Sequence, residues 1–157
     1  CEIDGNYELW LFGNGDMEKE IELYSLRDTR IKYFGNRPND EILEFEKKAK
    51  LLVNPRFTDN EFTKYSFPSK LIEYMSSGTP VLTTKLLGIP DDYFDKMFYI
   101  EIENKEGFKR SILNCLSLSQ EELDLFGNNA KCYVLQEKNN FIQIKKLINI
   151  LNESFTK

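Results

Sequence analysis

Residues 65–84 constrain this chain more than any other stretch, because they set a helix start, a helix stop and a strand in quick succession. Pro68 suits a first helical position, where its missing N–H costs nothing. Leu71, Ile72 and Met75 then recur at the spacing of an apolar helix face. Gly78 ends the helix, and Thr79 to Thr83 begin a β-branched strand. Ser69, Lys70 and Glu73 project toward roughly one side of that helix. The N–H groups of Ser69, Lys70 and Leu71 fall in its first turn, where an anion is stabilised. The arrangement is a phosphate site with a cation at its mouth and a carboxylate one turn further in, which fits a nucleoside diphosphate and its ribose. On spacing alone, an amphipathic helix with a solvated Lys70 and Glu73 is the simpler account, since charged helix residues are mostly exposed.

Around this stretch, strands and helices alternate. Residues 7–12 read as a mostly apolar strand, expected to be buried on both faces. Gly13 to Asp16 form a turn into a helix to about Leu26, with Asp16 as its cap. The Gly13-x-Gly15 pair would let a phosphate or sugar approach the backbone, and it reads equally well as a plain turn. A short strand at 31–34 leads to Gly35, Asn36, Arg37 and Pro38, with Arg37 read as a surface residue. A helix capped by Asn39 or Asp40 runs to about Ala49, with Ile42, Leu43 and Phe45 inward. A third strand at 51–54 is stopped by Pro55, and a long polar loop follows through Lys64.

Beyond Thr84 the pattern predicts a loop, a helical turn near 91–96, a strand at 98–102 and a helix over 106–116. Ser119-x-x-Glu122 is a capping box opening a helix to about Glu137, with a kink expected at Gly127. A last amphipathic helix covers 141–152. This alternation predicts an α/β domain with a parallel sheet and flanking helices. Ligands of such sheets bind beyond the carboxyl ends of the strands, so Gly13, Asn36, Pro55 and Thr83 are expected along one edge.

Composition excludes several functions. The 157 residues suit one domain of ordinary globular make-up, 41% hydrophobic and 30% charged. The net charge of −5 and the lack of a basic tract argue against a nucleic-acid partner. No apolar run reaches the length of a membrane span. Cys1, Cys115 and Cys132 have no metal-ligand spacing and read as reduced thiols of a cytoplasmic protein. The absence of His removes a Ser-His-Asp triad, a His base and His-ligated metal.

Phe67-Pro-Ser-Lys-Leu-Ile-Glu-Tyr-Met-Ser-Ser-Gly-Thr-Pro-Val81 resembles the donor-site signature of GT-B glycosyltransferases of the family-four retaining group. The resemblance implies that residues 1–157 are the C-terminal, Rossmann-like, nucleotide-sugar donor-binding domain. It implies Lys70 and Glu73 as catalytic residues, Lys70 on the phosphates and Glu73 on the ribose. Donor contacts would come from Gly13, Gly15, Asn36, Tyr65, Ser66, Phe67, Pro68, Ser69, Leu71 and Thr79, with Asn36 in a loop near the base. Thr79 reads equally as the start of its strand. No metal and no cofactor beyond the donor substrate are expected. Sugar would pass to an acceptor hydroxyl with retention, in polysaccharide or glycolipid assembly.

Two departures from the family matter. Tyr65 stands where members often carry the first of two glutamates eight positions apart, so sugar contacts would differ or pass to Asp59 or Glu61. The polar loop holding those two residues is expected to order when donor binds. The family would also place a strand and helix ahead of Tyr7, and an N-terminal acceptor domain before those. The chain alone is therefore expected to bind donor without transferring sugar, and its sheet to close by edge pairing in a dimer. In the full-length enzyme a peripheral position at the inner membrane face is expected. The alternatives are a non-catalytic nucleotide-sugar binding module and a nucleotide-sugar epimerase, the latter lacking any His as acid or base.

Overall fold

The computed structural model describes residues 3–59 and 61–155, which form two compact units, one through Glu46 and one from Lys47. Its strands are parallel and its helices flank them, as the alternating pattern requires.

The first unit contains β1 (Leu9–Leu11), α1 (Glu18–Arg27), β2 (Ile31–Tyr33) and all but the last two residues of α2 (Asn39–Lys48). β1 and β2 pair in parallel, with Leu9 opposite Ile31 and Leu11 opposite Tyr33. A knot of four rings organises the unit. Phe12 stacks on Phe34 at 4.9 Å, Phe45 lies 5.0 Å from each, and Trp10 meets Phe45 edge-on at 5.3 Å. Two sequence expectations fail here. β1 is not buried on both faces, since Leu9 is exposed and Trp10 and Leu11 are half-buried. Asp16 does not cap α1. Met17 occupies that position without a side-chain cap, and Gly15 accepts the first turn's bond from the Glu18 N–H at 3.1 Å.

The second unit is built on β3 (Leu52–Asn54), β4 (Val81–Thr84) and β5 (Phe98–Ile100), parallel in the order β3-β4-β5. α3 (Ser69–Ser77) and α5 (Gln120–Glu137) cover one face, where Leu71, Met75, Val81, Ala130 and Val134 share a core. α4 (Lys105–Leu116) covers the other through Cys115, Phe108 and Ile112, which pack on Leu82 and Ile100. Every residue of β4 is therefore buried, as expected of a central strand covered on both sides. Its two threonines find partners on β3 and beyond: Asn54 Nδ2 donates to Thr83 Oγ1 at 3.2 Å, and the Arg56 N–H donates to Thr84 Oγ1 at 3.0 Å.

The capping box of α5 is present, with the Glu122 N–H donating to Ser119 Oγ and the Glu122 carboxylate accepting from the Ser119 N–H. α5 runs through Gly127 to Glu137 as one helix. α6 (Asn140–Phe155) follows, with Phe141, Ile144, Leu147, Ile148 and Leu151 exposed. No helix among the described residues is long and apolar enough to cross a membrane.

Candidate functional site

The sequence-predicted residues fall into both units, and each group is described within its own. In the first unit, Gly13 and Asn36 follow the carboxyl ends of β1 and β2, as the parallel register demands. The Gly13 N–H donates to the Gly35 carbonyl at 2.8 Å, and the Tyr33 hydroxyl donates to the Gly13 carbonyl at 2.7 Å. These bonds fix the two loops side by side. Gly13 has a φ of 105° and Gly35 one of 63°, values that side chains rarely tolerate. The space where a Cβ would stand is open at Gly13, Gly15 and Gly35. Asn36 is exposed, and Arg37 turns back to donate from Nε to the Phe34 carbonyl at 3.2 Å, in keeping with a surface role.

In the second unit the site centres on the start of α3. Pro68 is extended, with φ −69° and ψ 109°, so it precedes the helix as its cap and Ser69 is the first helical residue. This shifts the sequence reading by one position. It also changes the donor count, because the Leu71 N–H is committed to the Pro68 carbonyl at 2.9 Å. Leu71 is fully buried and serves the core, so neither its amide nor its side chain is offered to a ligand. Ser69 is exposed, and among the described residues its N–H has no hydrogen-bond partner.

Lys70 Nζ and Glu73 Oε1 lie 2.5 Å apart across one turn, both at the surface. The expected cation and carboxylate therefore share one side of the helix start and meet each other there. Tyr65 is 85% exposed at the mouth of the same loop. Phe67 points into the core, its ring 5.1 Å from that of Tyr93, and the Ser66 hydroxyl is buried with no partner among the described residues. Thr79 is not brought to this place. It is buried beyond Gly78, at the opposite end of a nine-residue helix about 13 Å long.

The polar loop after β3 makes contacts within the second unit. The Thr58 N–H donates to Glu103 Oε2 at 2.7 Å, Glu61–Lys64 form a 3₁₀ turn, and Thr63 is buried. Glu61 and Asp59 are exposed on it. Among the described residues no group of three or more Cys, Asp or Glu is placed to hold a metal ion.

Sequence reasoning missed the residues beneath the loop. Gly88 lies against the Ser66 backbone and Tyr93 against Phe67, whereas residues 85–90 had read only as a connection. The one signal there was a Gly next to Ile-Pro after a buried strand, which marks a turn without saying what packs on it.

Comparison with known proteins agrees with this architecture. The chain is similar to an Erwinia amylovora protein, the amylovoran biosynthesis glycosyltransferase AmsK, at 29% identity over 91 residues, 55% of this chain and 22% of that protein. The crystal structure of Anabaena HepE in complex with UDP-glucose superposes with a TM-score of 0.72 at 18% identity, covering 97% of this chain and 42% of HepE. WaaG, a glycosyltransferase involved in lipopolysaccharide biosynthesis, gives 0.61 at 21% identity, over 82% of this chain and 34% of WaaG. The chain thus spans less than half the length of each of these relatives. Residues 2–118, about three quarters of the chain, match the family described as Glycosyl transferases group 1. The chain belongs to that family, and its fold is that of a GT-B glycosyltransferase domain.

Proposed function

We propose that this domain holds the nucleotide-sugar donor of a glycosyltransferase, with the diphosphate at the start of α3. The observation that carries the reading is the grouping of the Ser69 N–H and Lys70 on the first turn of a helix, with Glu73 one turn further in, after a parallel strand and its loop. The partial positive charge of the helix start and the Lys70 ammonium would stabilise the charge that builds on the departing diphosphate. Glu73 would give up its contact with Lys70 and accept hydrogen bonds from the ribose hydroxyls. The bond from the anomeric carbon to the diphosphate breaks, a bond to the acceptor oxygen forms, and the acceptor proton leaves. HepE, whose structure holds UDP-glucose, supports a nucleoside-diphosphate sugar as the ligand.

In this reading no metal is needed, because fixed N–H groups and Lys70 meet the charge. The acceptor would be met by a further domain of the full-length enzyme, working at a membrane face on polysaccharide or glycolipid. Two copies of the chain would pair through sheet edges, which analytical ultracentrifugation would register as a dimer. A second reading, a binding module without transfer, is favoured by Tyr65, which brings a phenol where the family often has a carboxylate.

The test is calorimetric titration with UDP, GDP and ADP of the wild-type chain, Lys70→Ala and Glu73→Ala. One nucleotide is expected to bind. Each substitution should weaken it about tenfold or more, since charge-assisted hydrogen bonds contribute about 1.5–3 kcal/mol. Binding insensitive to both substitutions, or none with any nucleotide, would reject the donor site. Supplying the labelled donor to the full-length enzyme and looking for transfer, hydrolysis or an epimer separates transferase, binding module and epimerase.

A further inference from the structure

We propose that Gly88 is a positioning residue for donor binding: it sets the height of Ser66, Phe67 and Pro68, and through them the aim of the first turn of α3. The inference rests on the reading of that turn as the diphosphate site.

The argument begins with a close approach. A Cβ placed on Gly88 would stand 2.3 Å from the Ser66 carbonyl oxygen, 2.8 Å from its carbon and 3.1 Å from its nitrogen. All three are backbone atoms, so no side chain can swing aside. Only glycine lets the two segments touch in this way. One of them has to move if a methyl is added, and the anchoring of each decides which. Gly88 follows Leu87, which is 80% exposed, and the residues on either side of that pair, Leu86 at 1% and Ile89 at 2%, are both in the core. The turn is closed by the Ile89 N–H donating to the Leu86 carbonyl at 3.1 Å. On the other side the chain runs out to Tyr65, which is 85% exposed. A shift on the Ser66 side is carried to α3, because Pro68, the cap of that helix, lies two residues on.

The support continues along the same segment. Tyr93 packs its ring on Phe67 and stands edge-on to Tyr133 at 5.3 Å. Lys138 lies over Tyr93 at 4.8 Å and pairs with Asp92 at 2.5 Å. Residues 86–93 are thus a floor beneath the donor loop, held from below by the end of α5. The Ser66 hydroxyl is itself buried, with no hydrogen-bond partner among the described residues. A floor of this kind keeps the Ser69 N–H and Lys70 aimed before the ligand arrives, which lowers the ordering cost of binding.

Gly88→Ala tests the inference against Val134→Ala, which removes atoms from the same core on α5. Both variants should lower the Tm. Only Gly88→Ala should weaken the nucleotide identified by titration, by about tenfold. Equal affinity in Gly88→Ala and wild type, or equal loss in Val134→Ala, would overturn the proposal. A readout without ligand separates it from the donor-site reading. In amide NMR spectra of Gly88→Ala, the signals of Ser66, Phe67, Ser69 and Lys70 should shift whether or not any nucleotide binds. If Gly88→Ala does not fold, Lys138→Gln loosens the same floor at its rim, and shifts at Phe67 to Lys70 are again expected. Unmoved signals there would refute the floor even if nucleotide binds to the wild type.

Discussion

Gly127 of α5 lies so close to the end of α3 that a Cβ on it would stand 2.0 Å from the carbonyl oxygen of Gly78. Gly78 itself is left-handed, with φ 88°, and its N–H caps the helix on the Met75 carbonyl at 3.2 Å. The two glycines form one joint, in which the turn out of α3 rests directly on the backbone of α5. A side chain at Gly127 would meet this contact directly.

Gly127→Ala should therefore destabilise the domain although alanine is the better helix former. Propensity favours alanine by about 1 kcal/mol, whereas forcing atoms into a packed joint costs typically 1–3 kcal/mol and more when backbone must move. We expect a net loss of about 2 kcal/mol in urea unfolding. A gain in stability would show that the two helices do not approach this closely.

The same joint explains which parts of the structure were legible in the sequence. The helix start at Ser69, the stop at Gly78, the capping box at Ser119 and the strand at Val81 are local devices, and each appears within a residue or two of its expected place. What packs on what is not local. Gly127 read as a kink from its position in the helix, and nothing local in the sequence announces the Gly78 carbonyl packed against it. Leu71 counted as a donor to phosphate because helix starts leave amides free, until the Pro68 carbonyl took this one. The grouping of Lys70 and Glu73 followed from helical periodicity and held. The floor beneath Ser66 comes from residues 20 or more positions away in sequence, where periodicity carries no information.

The Asp92–Lys138 pair at the base of that floor predicts a pH dependence. Its contact with Lys138, and then the Tyr133 hydroxyl beside it, hold the Asp92 carboxyl below its ordinary value of 3.8. A carboxyl whose pKa is lower in the folded state stabilises the fold above the unfolded value and stops doing so as pH falls through the folded one. The stability difference between wild type and Asp92→Asn should be present at pH 7 and fade below about pH 4. Half of the Asp92 side chain is exposed, so solvent screening keeps the difference to about 1 kcal/mol or less. Urea unfolding of both proteins at neutral and acid pH measures it. A difference that grows on acidification would contradict the pairing.

Two cysteines should differ sharply in reactivity. Cys115 is buried in the core beside Leu82 and Ile100, and burial pushes its thiol up to about 11. Cys132 is exposed on α5. Because the thiolate is the reacting species, Cys132 should be alkylated in the native protein at pH 8 while Cys115 reacts only after unfolding. Peptide mass spectrometry after a timed maleimide pulse distinguishes them. Native labelling of Cys115 at a similar rate would mean that α4 does not seal this face of the sheet.

Glu73→Gln separates the two readings of the α3 surface. If Lys70 and Glu73 are only a solvated pair, the substitution removes an exposed one-turn ion pair worth about 0.2–0.5 kcal/mol. Stability would change within error, and nothing else would change. If Glu73 holds the ribose, the neutral amide keeps the shape but loses the charge that strengthens both hydrogen bonds. Nucleotide affinity should then fall about tenfold or more while the urea midpoint stays in place. Loss of affinity without loss of stability is the result expected of a residue that meets the ligand. Unaltered affinity in Glu73→Gln, with a nucleotide that binds the wild type, would return Glu73 to the solvated face and leave Lys70 and the Ser69 amide to hold the phosphates alone.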